Sequence, residues 1–203
     1  PPKDTNSPQV NRGVNAYLLG ARSVNPDVTV KLKITGSWLN ADAERKAAEE
    51  LIDEEGADVL TYHSSEATVI DVAEEKEVYS IGYNCVKKNY STNFLAAVVF
   101  HWSILYNGIL QDYLRGSVSG QSAYWWGISY GVVGIENFSP LVNEEIRMQI
   151  RNVKAEFLEG FDVFLGELRR TDGEVVCHEN ERMSDHALLF DMLWYLEGVE
   201  VDE

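Results

Sequence analysis

Residues 28–84 read VTVKLKITGSWLNADAERKAAEELIDEEGADVLTYHSSEATVIDVAEEKEVYSIGYN. The first eight alternate, with Val28, Val30, Leu32 and Ile34 on one face and polar residues between them. A period of two is the pattern of a half-buried strand. The strand ends at Gly36-Ser37-Trp38. Asn40 or Asp42 can then cap a helix that runs to about Glu55, with Ala43, Ala47, Leu51 and Ile52 inward. Glu55-Gly56 closes it. ADVLTY (57–62) is almost continuously apolar, which suits a strand covered on both faces. A second helix is predicted from about Glu66 to Glu75, and VYSIGYN (78–84) is a third strand. Strands alternating with helices of this length argue for a parallel sheet with right-handed crossovers. The predicted fold class is therefore α/β, a parallel sheet flanked by helices.

Upstream, Val14, Tyr17, Leu18 and Ala21 fall at helical spacing between Val10 and Ser23, and Asn25-Pro26-Asp27 stops that helix. Downstream, FLAAVVF (94–100) reads as a fourth strand. His101–Gly116 reads as a helix with Ile104, Leu105, Ile109 and Leu110 apolar and Gly116 at its end. YWWGISYGVVGI (124–135) is turn and strand. NEEIRMQIRNVKAEFLEG (143–160) is an amphipathic helix with Ile146, Ile150, Val153 and Phe157 apolar. FDVF (161–164) and GEVVC (173–177) predict an antiparallel hairpin turning at Asp172-Gly173. SDHALLFDML (184–193) is a short helix capped by Ser184. The chain thus divides into a lead-in loop and helix (1–27), a β-α-β-α-β ligand-binding lobe (28–100), and a crossover helix with a C-terminal part (101–203). The opening PPKDTNSPQ reads as a loop entered midway, with residues expected upstream.

Lys and Arg number 17 against 33 Asp and Glu, a net charge of −16. Such a field repels phosphate backbones and anionic membrane surfaces, so nucleic acid is not an expected partner. The hydrophobic share of 45% suffices for a packed core. Cys85 and Cys177 are too few for a disulfide framework. No apolar run has the length of a membrane span, and no signal peptide is visible. No cofactor is expected: the Walker loop and Gly-x-Gly-x-x-Gly are missing, and His63, His101, His178 and His186 lack metal-ligand spacing. His63 and Ser64 are adjacent, and neighbours in an extended chain point to opposite faces. With no Gly-x-Ser-x-Gly elbow either, catalysis is not expected. The acidic pairs Glu49-Glu50, Glu54-Glu55 and Glu74-Glu75 read as solvated helix faces.

In an open parallel sheet, ligands bind beyond the carboxyl ends of the strands. Here those ends are Gly36-Ser37-Trp38, Tyr62-His63-Ser64-Ser65 and Gly82-Tyr83-Asn84. In one parallel sheet the three clusters share a rim. Each combines an aromatic ring with groups that donate and accept hydrogen bonds, which suits a neutral polyhydroxy or heterocyclic ligand. Each also has a plainer reading. Trp38 can cover a sheet edge, Ser64 and Ser65 can cap the following helix, and Asn84 can hold a turn.

RGVNAYLLGARSVNPDV (12–28), the stretch from Thr35 to Asn84, and YWWGISYGVVGIENFSPLVNEEI (124–146) together resemble the basic membrane protein family. These are substrate-binding lipoproteins of ABC importers, and the characterised group binds purine nucleosides or related bases. The resemblance implies a type I periplasmic-binding-protein fold, two α/β lobes closing on ligand, with this chain mostly the second lobe. It implies ligand stacking by Trp38, Tyr62 or His63, hydrogen bonds from Ser64, Ser65 and Asn84, and an approach to the cleft by Trp102 of Phe100-His101-Trp102. Asn84 stands where nucleoside binders usually carry aspartate, so a free base such as adenine is as good a candidate as a nucleoside. The full-length protein would be extracytoplasmic and would dock on an ABC permease. Family members carry most of a first lobe before the point where this chain begins. The alternative is a shortened non-transport paralogue, a homodimerising or regulatory module whose bare cleft and sheet edge invite association.

Overall fold

The structure is a computed structural model describing residues 7–84, 90–120 and 123–202. It contains α1 (Pro8–Val24), β1 (Val30–Lys33), α2 (Ala41–Asp53), β2 (Val59–Thr61), α3 (Thr68–Glu75), β3 (Tyr79–Tyr83), β4 (Phe94–Phe100), α4 (Trp102–Leu114), β5 (Val133–Glu136), α5 (Glu144–Leu158), β6 (Leu168–Arg169), β7 (Val175–Cys177) and β8 (Val199–Asp202). The chain is α/β, with its parallel pairings flanked by helices. It forms two compact units. One holds the chain up to Asp58, His63–Val72 and everything from Asp162; the other holds Val59–Tyr62 and Ala73–Phe161.

In the first unit, α1 lies along the C-terminal segment and supplies what that segment's backbone lacks. Asn15 Nδ2 donates to the Trp194 carbonyl at 3.2 Å, and its Oδ1 accepts from the Leu196 N–H at 2.9 Å. Asn11 Nδ2 donates to the Met192 carbonyl at 3.0 Å, and Arg12 Nη1 to the Leu188 carbonyl at 2.8 Å. Asn11 and Asn15 are fully buried. Leu18, on the same helix, joins a core of Phe164, Leu168, Cys177, Met183, Leu188, Met192, Leu196 and Val199. Val28, Val30 and Leu32 pack against it, the apolar face expected of β1.

The partner of β1 differs from the expectation. It pairs in parallel with β8, Val30 beside Val199 and Lys33 beside Asp202, and not with β2. The pairing sets the lysines of β1 beside acids of β8 and α2. Lys31 reaches Glu200 at 2.5 Å and Glu55 at 2.9 Å, while Lys33 meets Asp202 and, at 3.2 Å, Glu50. Hydrogen bonds that the Lys31 ammonium donates to Glu200 and then Glu55 hold it well above its usual pKa. The hairpin also shifts. Its strands are β6 and β7, with Gly173 in the turn at φ 86°, so its first arm is 168–169 and not 161–164. Asp162 Oδ1 accepts from the Phe164 N–H at 2.9 Å, which turns the chain there and breaks the FDVF run. Ser184 caps the last helical turn as expected, its Oγ accepting from Ala187 N at 3.2 Å.

The second unit is a four-stranded sheet in the order β2-β3-β4-β5, parallel except for antiparallel β5. Phe94, Ala97 and Val99 of β4 are buried in it. α5 starts as predicted, with Asn143 Oδ1 accepting from Ile146 N at 3.0 Å. α4 makes room for the segment after it. A β-carbon on Gly108 would sit 2.3 Å from Cη2 of Trp126, so only glycine lets that ring lie on the helix. Trp126 in turn stacks on Tyr130, centroids 5.1 Å apart and planes 8° from parallel.

Two outcomes follow. Asn15→Ala strands a buried N–H and a buried carbonyl, and should cost about 2–4 kcal/mol in urea unfolding. Gly108→Ala forces Trp126 off the helix. It should cost about 1–3 kcal/mol and red-shift the tryptophan fluorescence of the folded protein.

Candidate functional site

The three strand ends fall in two sheets. Trp38 follows β1, whereas Tyr62 and Asn84 follow β2 and β3 of the other sheet. The single rim expected from the sequence is therefore two groups of residues, one in each unit.

The first group is Trp38, His63, Ser64 and Ser65. The Ser65 N–H donates to the Trp38 carbonyl at 2.9 Å, which ties the loop after β1 to the segment before α3. The Trp38 and His63 rings meet edge to face, centroids 6.0 Å apart at 78°. Trp38 keeps 37% of its surface open. His63 is half-buried against α1, its Nδ1 3.8 Å from where a β-carbon on Gly13 would lie. Burial lowers the His63 pKa, and the Arg12 guanidinium adds to that. A neutral imidazole has one donor and one acceptor, so His63 can bond an uncharged heterocycle.

Ser64 and Ser65 do not cap α3. The helix opens on the Ala67 carbonyl, which accepts from Ile70 N at 2.9 Å and Asp71 N at 3.3 Å, so both serines lie outside its first turn. Ser64 Oγ instead makes a long contact of 3.4 Å with the Glu66 carbonyl. Sequence reasoning also missed what lies below this segment. Glu44 in the first turn of α2 is 1% exposed, and neither of its carboxyl oxygens has a hydrogen-bond partner. Burial raises its pKa and Glu66 adds to the rise. The Ser64 and Thr68 hydroxyls lie near enough to oppose it, without reaching normal hydrogen-bond geometry. No local signal marks it: the sequence put Ala43 and Ala47 inward, and only the structure shows Glu44 and Ala48, one turn apart, buried on one stripe of α2.

The second group is a run of rings. Tyr62 meets Tyr83 (centroids 6.5 Å), Tyr83 meets Phe100 (5.6 Å), Phe100 meets Trp102 (5.5 Å), and Trp102 stacks on Tyr106 at 6.1 Å and 22°. Tyr62 Oη donates to the Tyr83 carbonyl at 3.2 Å. Trp102 at 45% and Tyr106 at 63% are exposed. Tyr83 belongs to the third strand-end cluster and Phe100 to the quoted Phe100-His101-Trp102, whereas Tyr106, which completes this surface, was not singled out from the sequence. Asn84 holds a left-handed turn, φ 49°, with its N–H bonded to the Val98 carbonyl at 2.7 Å and its side chain exposed. Cys85 lies outside the described residues. Cys177 is a buried core thiol 3.3 Å from the Glu181 carbonyl. Among the described residues no cluster of His, Cys, Asp and Glu could hold a metal ion, and no helix is long and apolar enough to cross a membrane.

Residues 4–163 match the Bmp family, described as ABC transporter substrate-binding protein PnrA-like. The chain belongs to this family. It is 31% identical over 95% of its length to a Haloferax volcanii protein named as an ABC transporter glucose-binding protein. It is also 31% identical, over 95% of its length, to a purine-binding protein of Brucella abortus. The chain covers 46% and 55% of those two, about half the length of each. An ABC transporter solute-binding protein from Conexibacter woesei superposes with a TM-score of 0.61 at 16% identity, over 78% of this chain and 53% of that one. At that identity the likeness shows the fold alone, and the fold is that of a periplasmic-type binding protein. The Bmp-family assignment accounts for parallel strands whose ends carry rings and small polar groups.

His63 has a pH consequence. Its folded pKa lies below the unfolded value, so the unfolded state takes up the proton more readily. The stability it contributes is present above about pH 6.5 and is lost as pH falls through the folded pKa. In His63→Gln, urea midpoints between about pH 7 and pH 5 should fall less steeply than in the wild type.

Proposed function

We propose that this chain is the ligand-binding part of an ABC importer's solute-binding protein, and that it takes a purine nucleoside or nucleobase. The observation that carries the reading is that each unit sets open or half-buried rings beside neutral hydrogen-bonding groups. Trp38 and His63 form one such surface, and the Tyr62–Tyr83–Phe100–Trp102 run with Asn84 forms the other. Aromatic faces accept flat heterocycles, while hydroxyls, an amide and a neutral imidazole satisfy ring nitrogens and exocyclic amines. A net charge of −16 disfavours phosphorylated ligands, which leaves nucleosides and bases over nucleotides. The name of the Brucella relative supports the purine class. The full-length protein would work outside the cytoplasm, anchored at the membrane, and would deliver ligand to an ABC permease.

Calorimetry with adenine, adenosine, guanosine, inosine and glucose tests this directly. Heat with one or more purines is expected. Trp38→Ala or Trp102→Ala should weaken that binding about three- to tenfold, the scale of one aromatic stacking contact. Heat with glucose alone would move the ligand class to sugars, as in the name of the Haloferax relative. Silence with every ligand, in a folded chain that light scattering shows to be a stable dimer, would favour the homodimerising interaction module.

A further inference from the structure

Packing alone does not account for Glu44 of the first unit. A carboxyl group at 1% exposure with both oxygens unpaired is a poor way to fill a core, since burial penalises its charge and leaves acceptors unused. An alanine, like Ala48 one turn on, would fill that face of α2 without the penalty. What the position offers is direction. Side chains in a helix lean toward its N-terminus, so Glu44 leans from α2 toward the segment His63–Thr68. The helix start also favours negative charge there.

That segment presents two rotatable donors to it, the hydroxyls of Ser64 and Thr68, one near each end. Ser64 Oγ is otherwise engaged only at 3.4 Å with the Glu66 carbonyl, so turning it to Glu44 gives up a weak contact. Glu66 is the charged group of the facing segment that acts on Glu44, and it opposes ionisation. Between the two hydroxyls, the Ser65 N–H is fixed to the Trp38 carbonyl.

We propose that Glu44 is a positioning residue: its buried carboxylate, by drawing in the Ser64 and Thr68 hydroxyls, holds His63–Thr68 on α2 so that the Ser65–Trp38 bond forms and His63 meets Trp38. That this serves ligand binding rests on the reading of these residues as a ligand surface. The anchoring itself does not. A ligand that takes the Ser64 hydroxyl removes a donor from Glu44, so the anchor and the ligand compete for one group.

The test is hydrogen exchange at the Ser65 amide in the whole chain without ligand, from about pH 5 to pH 8, for wild type and Glu44→Gln. Protection at neutral pH, corrected for intrinsic exchange, should be roughly tenfold lower in Glu44→Gln than in the wild type, and in the wild type it should fall as Glu44 takes up its proton. Glu44→Gln should show low protection with no pH dependence, at a melting temperature within a few degrees of wild type. A group that merely filled space would give a flat profile in both proteins. Equal protection and equal profiles in the two overturn the proposal. Should Glu44→Gln not fold, Glu44→Ala takes its place, and Ser65 protection equal to the wild type overturns the proposal. Titration with adenine separates the two readings. If adenine binds, unchanged affinity in Glu44→Gln overturns the link to the ligand. If no purine binds the wild type but the Ser65 profile is as expected, the purine reading fails and the anchor stands.

Discussion

The architecture depends on a clasp between α1 and the chain's last elements, made by two buried asparagines. Asn11 and Asn15 satisfy the backbone of Met192, Trp194 and Leu196, about 180 residues away in sequence. That segment has no regular secondary structure of its own over 192–198, so its polar groups need partners from elsewhere. An asparagine carries a donor and an acceptor on one planar group and can complete such a backbone much as a neighbouring strand would. Once the segment is fixed there, Leu196 and Val199 complete the core around Leu18, and β8 is delivered to the side of β1.

This clasp accounts for the main departure from the simplest β-α-β-α-β arrangement. A helical crossover makes β2 the default neighbour of β1. Here β8 takes the place instead, and the lysines of β1 answer the acids of β8 and α2 on the outer face. The residues at and beyond the strand ends thus form two groups, one in each unit. One is a loop pair stitched by the Ser65–Trp38 bond. The other is a run of rings that β2, β3 and β4 set side by side. Among the described residues neither group holds a cluster that could bind a metal ion, and both set aromatic rings beside uncharged polar groups.

Much of the local structure was legible. Asn40 and Asn143 cap their helices as their positions before apolar-periodic runs suggest, and Val28, Val30 and Leu32 face the core as their alternation requires. Trp38, His63, Tyr62 and Trp102 lie in aromatic contacts at strand ends or just past them. The serines were misread, because a serine just before a helix looks the same whether it caps or hangs above another helix. Glu44 went unread because a glutamate in a first helical turn is ordinarily solvated, and nothing local marks it as buried.

The sequence by itself determined most of the elements and the caps of α2 and α5, because each depends on neighbours within a few residues, and its order along most of the chain marks the family. The tertiary structure alone decided that β8 stands beside β1, that Asn11 and Asn15 are buried donors, that Tyr83, Phe100 and Tyr106 extend the rings of Tyr62 and Trp102, and that Glu44 lies under Ser64 and Thr68. Those facts join residues far apart in the chain. Each was settled by which buried backbone groups and charges could find partners once the chain had closed, and no periodicity records that.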